Sequence, residues 1–261
     1  MAVRLRALVL AGFAVAAAAA APASARADDP LPRVEGALCP GIAGFDTQSA
    51  LQMVDRIRAN VSALGLRLAN PDTCKPNVLV AVVEDGNRVL RAMARESPHM
   101  FAALNPSELR ALVSQEGPAR VYAQVVTRTR DGQPVPIRNN LTDVPQASGW
   151  MAHSKIYTAT RQDIVHVLIL LDRDGIADKS VGQIADYVTV RALVPVEADE
   201  AAGSDESILG LFDGGAGPRP DGLTGVDHAL LSTLYDGIPN LPARGRLADL
   251  DTQATRRAAA K

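Results

Sequence analysis

The chain has 261 residues, 47% of them apolar, with two cysteines and a formal charge of −2. That apolar share excludes a wholly disordered chain, and two cysteines exclude a multi-disulfide scaffold or a cysteine-rich zinc module. Residues 1–27 hold Arg4, Arg6 and Arg26 and no acid, so the remainder carries 24 basic against 29 acidic groups, or −5, which lacks the basic footprint of nucleic-acid binding.

Arg4 and Arg6 open the chain, residues 8–21 form an uncharged apolar run, and two small-x-small sites follow at Ala23-Ser24-Ala25 and Ala25-Arg26-Ala27. This is the order of a secretory signal peptide, so residues 1–27 are expected to be removed after Ala27. The run is shorter than the ~20 residues that span a bilayer, and no later stretch is longer. The expected mature chain therefore has no transmembrane anchor and is periplasmic or secreted. In such a compartment two thiols pair. A Cys39–Cys74 bridge would close a loop of about 35 residues, worth about 4 kcal/mol on the chain-entropy model.

Residues 28–243 read as one α+β domain, a small central sheet flanked by helices, and 244–261 as a tail, helical in part and frayed. Residues 33–38 suit a short strand. Asp46 caps a helix over 47–64, with Leu51, Val54, Ile57, Val61 and Leu64 at helical spacing and Gly65 as its stop. Residues 78–83 are uniformly apolar, as in an interior strand. Residues 87–95 form a helix with Val89, Leu90 and Met93 inward. Asn105-Pro106-Ser107-Glu108 starts another, which Gly117-Pro118 ends. Residues 121–130 alternate as a strand, 131–149 read as an irregular loop, and 155–158 suit a short strand. Residues 163–171 form a second apolar strand, expected to take part in a hairpin with another strand of this stretch. Ser180-Val181-Gly182-Gln183 is a capping box opening a deeply buried helix to about Val194. Residues 197–206 are acidic and small, 207–212 pack back on the core, and Thr224-Gly225-Val226-Asp227 starts a capped helix through Tyr235.

Five stretches together resemble a family of uncharacterised exported proteins of Gram-negative bacteria. They are Cys74-Lys75-Pro76-Asn77-Val78-Leu79-Val80; Gly117-Pro118-Ala119-Arg120-Val121-Tyr122; Gln183-Ile184-Ala185-Asp186-Tyr187 with Arg191-Ala192-Leu193; Ser207-Ile208-Leu209-Gly210-Leu211-Phe212; and Leu223-Thr224-Gly225-Val226-Asp227 with Leu230-Leu231 and Leu234-Tyr235. That resemblance implies no activity. The last three also resemble, more weakly, zincin-like metallopeptidase relatives. Zinc binding there needs H-E-x-x-H, two imidazoles one turn apart beside a carboxylate. Gln183 and Tyr187 occupy such a pair here, with Ile184 in the carboxylate's place, so the resemblance implies a non-catalytic relative with no metal or other cofactor.

The individual chemistries are weakly founded. His99, His153, His166 and His228 are too widely spaced for a ligand pair, and His166 lies in an apolar strand, where a hydrogen-bonded core histidine is expected. Asp172, Asp174, Gly175 and Asp178 resemble a calcium loop without its terminal Glu. Ser154 and Lys155, beside His153, are adjacent and so point to opposite faces of a strand. Gly214-Gly215-Ala216-Gly217 is followed by Pro218 rather than by Lys and a helix. Asp186, a carboxylate on a buried helix, needs partners, with an Arg such as Arg191 or another nearby expected. Gln183, Asp186 and Tyr187 form the candidate pocket, with Trp150 as a possible rim. The expected function is an exported, non-catalytic binding or envelope-associated accessory protein whose partner is an unknown protein or small ligand. The alternatives are a peptidase-like hydrolase with a dispersed site, or an inhibitor or chaperone-like module exposing an apolar patch.

Overall fold

The computed structural model describes residues 29–135, 154, 156–194, 207–213 and 219–246. The elements run β1 (Pro40–Ala43), α1 (Thr47–Ala63), β2 (Val78–Val83), α2 (Gly86–Glu96), α3 (Pro106–Val113), β3 (Ala119–Thr129), β4 (Thr160–Asp172), α4 (Val181–Leu193) and α5 (Gly225–Tyr235). Single 3-10 turns occupy Pro98–Phe101 and Ile208–Phe212, and one α-helical turn, Arg173–Ile176, follows β4. The fold is α+β, with four strands in the order β1-β2-β4-β3. β1, β2 and β4 are parallel, with Pro40 opposite Val78 and Val78 opposite Val167. β3 returns antiparallel on β4, from Ala119 opposite Leu171 to Thr129 opposite Thr160.

The uniform strands are explained by cover on both faces. On one face α1, α4, α5 and the 208–212 turn bury Met53, Ile57, Val80, Ile169, Leu193 and Leu231. On the other, α2, α3 and the 98–101 turn bury Leu90, Phe101, Leu112, Tyr122, Leu168 and Leu170. The second layer is smaller, and it ends near Tyr122, whose ring centroid lies 4.9 Å from that of Phe101.

The helix starts follow the sequence reading closely. The Asp46 side chain accepts from Ser49 N–H, and Asn105 with Glu108, Ser180 with Gln183, and Thr224 with Asp227 are reciprocal capping boxes. α1 ends before Gly65, whose φ of +70° suits glycine. Its buried residues, however, are Met53, Ile57 and Val61, while Leu51 is 59% exposed. The stripe is a clean i, i+4, i+8 row, rotated from the one that begins at Leu51.

Two short strands read from sequence are not strands. Within 33–38 only isolated bridges form, Arg33 with Asp163 and Leu38 with Leu68. The strand lies at Pro40–Ala43 instead, where the proline falls at the first residue of an edge strand and removes no interior rung. Residues 156–158 are also irregular, and Thr158 N–H donates to the Asn240 carbonyl. The 163–171 strand extends to Thr160–Asp172, and its antiparallel partner is β3.

Cys39 and Cys74 are joined by a disulfide. It ties the entry of β1 to the turn before β2, and the Asn77 side chain reinforces it by accepting from Cys39 N–H at 2.8 Å and donating to the Ala37 carbonyl at 3.0 Å. Among the described residues no helix is long and apolar enough to cross a membrane.

Candidate functional site

The residues singled out on α4 are held in contacts between elements. Gln183 completes the capping box and donates through Nε2 to the Pro220 carbonyl at 2.8 Å. Asp186 is fully buried and accepts four hydrogen bonds: Arg56 Nε and Nη2 at 2.8 Å each, Asn60 Nδ2 at 2.7 Å and Leu223 N–H at 3.1 Å. Its cation comes from α1 and not from Arg191. Burial by itself pushes the Asp186 carboxyl up, but the donors from Arg56, Asn60 and Leu223 outweigh it and leave the group below the usual carboxylate range. Gly222 packs directly on this carboxylate, since a Cβ there would lie 2.7 Å from Oδ2. Tyr187 packs edge-on to Phe212 at 4.6 Å, and burial raises its phenol. Gln183 and Asp186 thus both fasten the segment 220–223 to α4 through its backbone.

A second buried carboxylate, Asp227, does the same for the 207–208 segment. Besides its capping box with Thr224, it accepts from the Ser207 hydroxyl and from Ile208 N–H at 3.0 Å. The capping motif marked Asp227 in the sequence; nothing there marked Ser207 as its partner.

Other sequence candidates are dispersed. His166 is exposed on β4, because the α2–α3 layer stops short of it. Asp172 accepts from Gly86 N–H at 2.7 Å and pairs with Arg120, while Asp178 pairs with Lys179 and Arg219. Ser154 Oγ accepts from the backbone of Ile156 and Tyr157. Among the described residues no group of three or more His, Cys, Asp or Glu stands together as a metal cluster. His153, Lys155, Trp150, Gly214–Gly217, the 197–206 acids, residues 1–27 and residues 247–261 lie outside the described residues.

The feature that best fits a binding site lies at the β3 edge, where a cleft of about 520 Å³ follows residues 121–125. Leu104, Ala111 and Leu112 line one wall, and Ile164, Ala192 and Val194 the other. No described strand lies beyond β3. At one end of the cleft the Gln115 side chain takes the place of a strand neighbour. Its Oε1 accepts from Val121 N–H at 2.9 Å, and its Nε2 donates to the Val121 carbonyl at 3.1 Å.

Those two bonds show which way Val121 faces. In an antiparallel pair alternate residues direct both backbone groups to the partner or away from it. Val121 faces away from β4, and so do Ala123 and Val125, because the register shift between Gln124 and Val125 skips a residue on β4 and leaves β3 in phase. Farther along, Thr129 N–H also turns outward, to the Gln133 carbonyl. Ala123 and Val125 therefore present N–H and C=O groups along the floor of an apolar cleft. The alternation over 121–130 predicts β3 as a strand, but its place at the edge depends on a pairing order that no local pattern carries.

Comparison of the chain with family models, curated proteins and solved structures finds no match.

Proposed function

We propose that the chain is an exported, non-catalytic binding or envelope-associated accessory protein that receives a short extended peptide in the cleft along β3. The observation that carries this reading is the Gln115–Val121 pair: the outer edge of β3 already holds a carboxamide by the two bonds a neighbouring strand would make. An added strand gains affinity from such main-chain bonds and specificity from the side-chain walls. Ala123 and Val125 supply the next outward groups, and the aliphatic walls suit alternate apolar side chains of the ligand. A bridged Cys39–Cys74 pair fits an oxidising, extracytoplasmic location.

The test is titration of the isotope-labelled mature protein with acetyl-Thr-Val-Thr-Val-Thr-Val-amide and with an analogue N-methylated at alternate residues. The expected result is shifted, slowly exchanging amides at Ala123 and Val125 with the parent peptide, and loss of both effects when the methylated edge faces β3. No perturbation of the cleft at millimolar peptide would overturn the reading. Cleavage of the peptide during the titration would favour a peptidase-like hydrolase instead.

A further inference from the structure

We infer that Gln115 is a built-in competitor for the cleft, a side-chain amide that occupies the first rung of the β3 edge and must leave before a ligand can pair with Val121. The inference rests on the peptide reading above and concerns how that site is regulated. The C=O and syn N–H of a carboxamide point the same way, as the N–H and C=O of one outward-facing strand residue do from its two flanking peptide groups, so Gln115 offers Val121 the two bonds that a residue of a ligand strand would offer. Exchanging one for the other conserves the hydrogen bonds of Val121 and releases the Gln115 side chain to water, which makes the plug displaceable.

The backbone of Gln115 is fixed independently of its side chain. Its carbonyl accepts from Asn87 Nδ2 at 3.1 Å, Asn87 Oδ1 accepts from Arg120 Nε at 2.8 Å, and Arg120 pairs with Asp172 at 3.2 Å. The side chain can therefore swing away while the segment joining α3 to β3 stays in place. The device sets where an incoming strand stops: with Gln115 seated it pairs at Ala123 and Val125, and with Gln115 displaced it extends to Val121.

The experiment measures affinity for acetyl-Thr-Val-Thr-Val-Thr-Val-amide, with amide exchange at Val121, in wild type, Gln115→Ala and Gln115→Asn. Asparagine keeps the amide but is one methylene too short to reach. Both variants should bind about three- to tenfold more tightly, the worth of one rung without its competitor. In both, Val121 N–H should exchange rapidly in the free protein and slowly with peptide. Exchange at Ile169 and Leu171 verifies the fold, and Gln115→Asn alone decides the matter if the alanine variant unfolds. Unchanged or weaker affinity with Ala123 and Val125 still protected overturns the competitor role and leaves the peptide reading standing. Absence of binding in wild type and variants alike overturns both.

Discussion

Replacing Arg56 with alanine should destabilise the protein by about 3 kcal/mol at pH 7. The Asp186 side chain has no exposure and four donors, two of them on the Arg56 guanidinium. Removing Arg56 leaves a buried anion with only Asn60 and Leu223 N–H to hold it. Breaking a buried ion pair from one side costs about 3–5 kcal/mol. The Arg56 side chain is 51% exposed, so water can enter the space it vacates and the lower end of that range applies.

The pH dependence follows from the direction of the shift. Asp186 titrates below its unfolded value in the native protein, so its contribution is present above about pH 4 and is lost as pH falls through the folded value. Without Arg56 the folded value rises, so the stability gap between wild type and variant is full at pH 7 and narrows on acidification through the carboxylate range. Urea unfolding with the disulfide intact, at pH 7 and pH 3.5, measures both quantities. In Arg56→Ala/Asp186→Asn the two losses should not add, since each removes the same pair. A loss below 1 kcal/mol at pH 7, or an equal gap at both pH values, would refute the argument.

Ser207→Ala removes a hydroxyl donor to the fully buried Asp227 and should cost about 2 kcal/mol in urea unfolding; an unchanged midpoint would show that the remaining donors suffice. Gly44→Ala sets a side chain at φ +82° with its Cβ 2.6 Å from the Val82 carbonyl oxygen, and should loosen β1 from β2, read as faster amide exchange at Val80 and Val82. Reducing the Cys39–Cys74 bridge reopens a loop between residues 35 apart in sequence and should cost about 4 kcal/mol, lowering the urea midpoint; an unmoved midpoint would mean that native packing keeps the unfolded chain compact at that loop.

Local chemistry was readable in the sequence. The capping boxes at Asn105, Ser180 and Thr224 and the apolar strands fall where side-chain type predicts, because each depends on neighbours three or four residues away. What depends on distant partners was not readable. Arg56 meets Asp186 across 130 residues, and the sequence offered Arg191 as readily. His166 sits in an apolar strand but is exposed, since burial there depends on how far α2 and α3 extend across the sheet. The four residues of β1 are too few for a periodic signal. Gln115 is an ordinary polar residue after a helix until β3 becomes the edge strand, and only then does its carboxamide acquire meaning.

The most direct test of the central claim is peptide affinity in Val125→Pro. Proline at an outward-facing position of an edge strand removes a donor to the cleft and spares the rungs to β4. With near-ultraviolet circular dichroism verifying native packing, the account predicts that acetyl-Thr-Val-Thr-Val-Thr-Val-amide binds wild type and that the variant loses at least tenfold in affinity. Equal affinity in a folded Val125→Pro protein would contradict strand addition at β3.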